Sequence, residues 1–283
     1  MLEGPLAALA AIESTTGERN VHTIGYCLGG TLLASTAAYL AAKGDDRIAS
    51  ATYFATLVDF TDVEQLVSLE RRMQERGYLD AQDMATTFNM LRANDLIWSF
   101  VVDNYLLGKK QMPLELLFWN SDSTRMPAAM HSFYLRKMYQ QNLLAKPCGI
   151  NLAGTPIDLS KIKTPTFILS TREDHIAPWK STYAATQLYS GPVKFVLSAS
   201  GHMAGVISAP GGKCGHWAND NLPPSPDEWF AGATPHLGSW WPAWDEWITQ
   251  LDSGRVPARE PGGGKLTIIE DAPGSYVRVR SAV

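Results

Sequence analysis

The sequence predicts an α/β fold, a mostly parallel sheet divided by a long helical insertion, and three observations carry that reading. Short apolar, β-prone runs alternate with helical stretches over residues 1–56 and return over 162–283, whereas 57–161 is dominated by helical patterns rich in Leu, Met, Gln and Arg. A chain of 283 residues that is 45% hydrophobic and 18% charged also has ample material for a core.

The elements follow in order. Val21 to Gly25 is a short strand, and Gly29-Gly30 opens a helix through Leu32, Leu33, Ala37, Leu40 and Ala41 that closes at Lys43-Gly44. Ile48 to Phe54 is a second apolar strand, which makes a parallel βαβ unit with both faces covered. The insertion over 57–161, broken at Gly77, Gly108, Pro113 and Pro127, reads as a cap. Strand signals resume after Pro165 with Thr166 to Ser170; a helix from Trp179 to Tyr189 is stopped by Gly191-Pro192; and Val193 to Leu197 is the next strand. Pro242 to Leu251 reads as a terminal helix, and the tail places Gly262-Gly263-Gly264 before the β-prone Lys265 to Ile269. The six tryptophans of this last third (Trp217, Trp229, Trp240, Trp241, Trp244, Trp247) suggest core packing beneath loops, with an aromatic-lined binding surface as the alternative.

Composition excludes several classes. A net charge of -4, with basic residues in scattered pairs such as Arg71/Arg72 and Lys109/Lys110, argues against a nucleic-acid partner. No run approaches the roughly 20 apolar residues of a transmembrane helix, and no basic region precedes the first Ala-rich stretch, so neither an anchor nor a signal peptide is expected. Cys27, Cys148 and Cys214 are odd in number and widely spaced, which suggests a reducing compartment rather than a disulfide framework or a zinc site. No metal or built-in cofactor motif is present, so none is expected.

The chemistry concentrates at Gly25-Tyr26-Cys27-Leu28-Gly29-Gly30, a GxSxG pattern with Cys in place of Ser. In that pattern the nucleophile sits on a strained turn between strand and helix, and the glycines two residues to either side let the backbones pass. The helix start favours a thiolate and then an oxyanion, with the Leu28 backbone N–H as the expected donor. An acid and a histidine should follow, each just past a strand. Asp174, after the strand ending at Ser170, and His202, after the strand ending at Leu197, fill those places. His202 would take the thiol proton and Asp174 would hold its tautomer. His175 is the rival base and Glu173 the rival acid. His22 reads as a buried, satisfied strand residue; His131, His216 and His236 lie in the cap or the tail; and Cys148 and Cys214 lack an elbow.

A thiol nucleophile also selects a substrate. Acyl transfer between thiols is nearly thermoneutral, so a Cys-linked intermediate keeps the activation of a thioester for delivery to a hydroxyl, while a cap that excludes water suppresses hydrolysis. The segments around Cys27, Asp103 to Gly108, Leu117 to Asp122, Arg172 to Trp179, Ser200 to Val206 and Gly238 to Pro242 together resemble the class I polyhydroxyalkanoate synthases. The resemblance implies an α/β-hydrolase fold and polymerisation of 3-hydroxyacyl-CoA, foremost 3-hydroxybutyryl-CoA, into a polyester. Coenzyme A is then part of the substrate and a released product. It also implies a cytoplasmic, granule-associated protein, a homodimer formed through the cap, and cap movement for substrate access. Cys27, His202 and Asp174 take the catalytic places, with activation of the substrate hydroxyl as a second role considered for the Asp. Synthases of this kind carry a long region ahead of the elbow, so the resemblance is to their C-terminal catalytic portion, the later part of the sheet, with the strand at Val21 as an exposed edge. A Cys-dependent ester or thioester hydrolase and a catalytically incomplete granule-binding fragment are the alternatives.

Overall fold

The computed structural model describes residues 1–61, 77–79, 98–99, 101–109, 125–252 and 254–279. They fall into two compact units, one of residues 1–64 and 137–268, the other of 65–136 and 269–283.

The first unit is built on a six-stranded sheet. β1 (Val21–Tyr26), β2 (Ile48–Phe54), β7 (Thr166–Thr171) and β8 (Val193–Ser198) run parallel in that order, and β9 (His216–Ala218) and β10 (Thr234–His236) extend it antiparallel. β5 (Ile150–Leu152) and β6 (Thr155–Ile157) form a separate hairpin just ahead of β7. β7 is buried at every position, as expected of a strand with covered faces. β1 pairs only with β2 among the described residues, and Ile24 on it is 55% exposed. This edge position corrects the expectation for His22, which is exposed rather than buried and is satisfied through a 2.8 Å contact of its Nδ1 with Ser50 Oγ.

α1 (Ala7–Thr16) precedes β1, and α2 (Leu28–Lys43) follows it. α2 buries Gly30, Thr31, Leu33, Ala34, Ser35, Thr36, Ala37, Ala38 and Leu40; this run of small side chains lets the helix lie close to its neighbours. Gly44 ends it in the left-handed region at φ 69°, with Asp45 N–H donating to Leu40 C=O at 2.9 Å. The helix expected over 179–189 is split into α4 (Trp179–Tyr183) and α5 (Ala185–Leu188), which follow α3 (Ala128–Tyr134) in the chain.

The antiparallel pair β9/β10 and the short helix α6 (Pro226–Ala231) occupy a stretch whose Gly, Pro and Trp content suggested only loops. Its tryptophans are structural. Trp229 is fully buried against Phe195 and Tyr183, and its indole N–H donates to Asn219 C=O at 3.2 Å. Trp240 caps a cluster with Ala55, Phe167, Leu169, Val196 and Val206, and α7 (Trp241–Leu251) sets Trp244 and Trp247 beside it. Each indole in this group that reaches a partner does so inside the unit: Trp240 to Gly205 C=O at 3.0 Å, Trp244 to Thr52 Oγ1 at 3.0 Å. The surface alternative also has a place, since Ile24, Ile207, Trp241 and Trp244 line an open apolar groove of about 560 Å³. The β-prone Lys265 to Ile269 forms no strand and pairs with none among the described residues; Leu266, Ile268 and Ile269 are exposed after the glycine run.

In the second unit β3 (Tyr78–Leu79) pairs antiparallel with β4 (Met126–Pro127), the Arg125 guanidinium lies 4.8 Å from the centre of the Tyr78 ring, and α3 packs on both strands. Asp103 to Gly108 is described, with a 2.8 Å ion pair between Lys109 and Asp103, whereas Leu117 to Asp122 and Pro113 lie outside the described residues. No helix among the described residues is long and apolar enough to cross a membrane, and no group of His, Cys, Asp and Glu among them could hold a metal ion.

Candidate active site

β1 ends at Tyr26 and α2 begins at Leu28, which leaves Cys27 alone in the turn, at φ 52° and ψ -122°. A side chain at that positive φ is strained. It is held there by its own backbone: Cys27 N–H donates to Phe54 C=O at 2.9 Å on one side, and its C=O accepts from Gly30 and Thr31 on the other. The glycine requirement differs in one position from the expected pair. A Cβ on Gly25 would come within 2.6 Å of Gly30 Cα, and one on Gly30 would collide with Thr56, whereas Gly29 faces open space. The close crossing is between Gly25 and Gly30, five residues apart rather than four, because the turn folds the first residues of α2 back over the end of β1. Leu28 is the first residue of α2, so its N–H is one of the amides that a helix start leaves without an intrahelical acceptor.

Two loops at the same sheet edge supply the other groups. Arg172 N–H donates to Ser198 C=O and Glu173 N–H to Ser200 C=O, both at 2.9 Å, so the loop after β7 is laced to the loop after β8. Asp174 has a fully covered side chain, and both carboxylate oxygens are satisfied. Oδ1 accepts from the backbone N–H of Ile176 (2.8 Å) and Ala177 (2.9 Å); Oδ2 accepts from Thr171 Oγ1 (3.1 Å) and from His202 Nδ1 (2.7 Å). His202 is therefore the imidazole that the acid holds, and His175 on the same loop is exposed, as is Glu173. His131 is buried in the second unit, and His216 is buried on β9, with Nδ1 at 3.1 Å from Gly238 C=O and its ring stacked on His236. Cys148 is exposed, and all three thiols are free.

Burial works against a charged His202, but its hydrogen bonds with Asp174 and Cys27, and their charges, outweigh that and push its pKa up to about 9. The folded protein thus holds a proton that the unfolded chain releases near 6.5. The stability this contributes is complete below about 6.5 and is lost as pH rises through 9. The urea midpoint of the wild-type chain is expected to fall across that window more steeply than that of His202→Ala; parallel curves would contradict the pairing.

Four groups that hold the site are not evident from the sequence: Thr171 and the Ile176 and Ala177 amides, which bind Asp174, and Tyr26 beside His202. Only Tyr26 carried a signal, as the residue that separates the strand from the nucleophile.

The sequence matches the family described as alpha/beta hydrolase fold over residues 6–207. It is 51% identical over 289 residues to the poly(3-hydroxyalkanoate) polymerase subunit PhaC of Rhizobium meliloti, covering 99% of this chain and 47% of that protein. It is 49% identical to the poly(3-hydroxyalkanoate) polymerase of Methylorubrum extorquens, over 99% of this chain and 48% of that one, and 42% identical to the PhaC subunit of Cupriavidus necator, over 97% and 50%. The chain spans about half the length of these relatives.

Proposed function

Because the chain belongs to the alpha/beta hydrolase fold family, and resembles polymerases within it, we propose that it carries the acyl-transfer centre of an enzyme that polymerises 3-hydroxyacyl-CoA, with 3-hydroxybutyryl-CoA as the first candidate. The observation that carries this reading is a cysteine on a strained turn that bears electrostatically on a histidine whose Nδ1 is 2.7 Å from a buried carboxylate.

In this reading His202 takes the Cys27 proton, and the thiolate attacks the thioester carbonyl. The oxyanion forms beside the Leu28 N–H, and its collapse breaks the carbon–sulfur bond to coenzyme A, which leaves as the thiol with the proton from His202. A 3-hydroxyl from a second acyl unit then gives its proton to His202 and attacks the Cys27 thioester. An ester bond forms, and the Cys27 sulfur, released as the leaving group, takes that proton back. Asp174 orients the imidazole throughout; its four donors and lack of exposure favour that role over contact with the substrate hydroxyl. The granule surface and cytoplasmic location, like homodimerisation through the cap, belong to the same proposal.

The test is incubation with 3-hydroxybutyryl-CoA, followed by mass spectrometry of the protein and its products, with the full-length polymerase carrying this segment as the second arm. Acyl adducts on Cys27 and ester-linked oligomers are expected. Free hydroxy acid as the main product would instead make this a thioester hydrolase. An unmodified Cys27 in both arms would overturn the reading and leave a granule-binding segment.

A further inference from the structure

The side chain of Tyr26 touches His202 twice. Its ring stacks on the imidazole at 5.1 Å between centres and 30° between planes, and its hydroxyl donates to the His202 backbone C=O at 3.1 Å. With Nδ1 held by Asp174, the imidazole has one edge on the carboxylate and one face on Tyr26, and Cys27 bears on its charge. Tyr26 reaches this place because it is the last residue of β1, immediately before the turn that reverses the side-chain direction at Cys27.

We infer that Tyr26 is a positioning residue for His202: its ring walls one face of the imidazole and its hydroxyl pins the main chain that carries it, so that Cys27 and His202 exchange a proton in a fixed geometry. Neither contact touches the reacting atoms. An aromatic face against an imidazolium favours the charged ring and so stabilises the thiolate–imidazolium pair over the neutral pair, against the burial that disfavours charge there. The groups that bear on His202 are Asp174 from the loop after β7, with the exposed Glu173 and His175 beside it, and Cys27 and Tyr26 at the end of β1. Burial, followed by the charges of Cys27 and Asp174, holds the Tyr26 hydroxyl protonated well above its ordinary range, so it stays a donor. Tyr26 also packs against the cluster around Trp240, and its removal would loosen that core as well. A purely structural role is therefore the competing explanation, and the readout must separate the two.

The inference extends the proposed acyl-transfer centre, but its test needs no turnover. Iodoacetamide alkylation of Cys27 reads the thiolate, and the exposed Cys148 serves as an internal control in the same molecule. Tyr26→Phe keeps the ring and loses the bond to the carbonyl; Tyr26→Leu loses both. At pH 7 the Cys27 rate is expected to fall about threefold in Tyr26→Phe and about tenfold in Tyr26→Leu, with the pH profile displaced to higher pH and the Cys148 rate unchanged. An unshifted Cys27 profile in Tyr26→Leu would overturn the inference. Should Tyr26→Leu unfold, as loss of the near-ultraviolet circular dichroism would reveal, Tyr26→Phe decides: an unchanged Cys27 rate overturns the inference and a reduced one supports it. Failure here would leave the acyl-transfer reading standing, since acylation of Cys27 is measured separately.

Discussion

Asp174→Asn is expected to lower the acyl-transfer rate about 10⁴-fold, the loss that follows when a buried triad carboxylate is replaced by its amide and the histidine takes the wrong tautomer. The geometry explains why substitution by the isosteric amide is severe. The carboxylate accepts from four donors, two at each oxygen, and an amide can accept at only one position. Whichever way the substituted side chain turns, its NH₂ group meets either the Ile176 and Ala177 amides or Thr171 and His202, and the loop that carries the acid is destabilised by about 1–3 kcal/mol. The same variant separates the two roles of the acid. If Asp174 orients His202, acylation of Cys27 by 3-hydroxybutyryl-CoA and transfer to the next hydroxyl both fall. If it activates the substrate hydroxyl, acylation survives and only elongation is lost. Single-turnover acylation followed by mass spectrometry distinguishes these, and the expected result is loss of both.

How much of this was legible beforehand depended on how local the signal was. The elbow could be read because one hexapeptide contains the strand end, Cys27 and the helix start, and the periodicity on either side changes from two to helical within it. Asp174 and His202 could be placed because each is a short loop beyond a strand that the parallel sheet brings to the same edge. The Gly25–Gly30 crossing was misassigned to Gly29 because the motif gives spacing along the chain, whereas the contact depends on how tightly α2 turns back, which three-dimensional packing decides. β9 and β10 were missed for a related reason. Three-residue strands flanked by Gly and Pro carry no period of their own; β9 exists because β8 offers it a ladder, with Leu197 opposite Trp217 and Ser198 opposite His216, and β9 in turn offers one to β10. Lys265 to Ile269 shows the converse, a β-prone sequence that stays exposed and pairs with no strand among the described residues. Tyr26 was passed over because its contacts with His202 join residues 176 positions apart.

The strain at Cys27 leads to a second large effect, which needs two substitutions to expose. Cys27→Ala removes the sulfur but keeps a Cβ at φ 52°, so the turn remains strained; Cys27→Gly removes both. Each is expected to abolish covalent acylation and to cut acyl transfer by about 10⁴-fold or more, since residues that act as a unit lose most of their effect when the nucleophile is lost. Their stabilities should differ. A non-glycine residue in this region costs on the order of 1–3 kcal/mol, and glycine gives back about 0.5–1 kcal/mol through the greater freedom of the unfolded chain. Cys27→Gly is therefore expected to unfold at higher denaturant concentration than Cys27→Ala by about 1 kcal/mol, with an unchanged denaturant slope. Both variants lack the thiol that bears on His202, so that loss cancels in the comparison. Equal midpoints would mean that the turn is relaxed, and the placement of the sulfur between strand and helix would need another cause. A higher midpoint in the inactive glycine variant would measure directly the stability the chain gives up to hold its nucleophile in the turn.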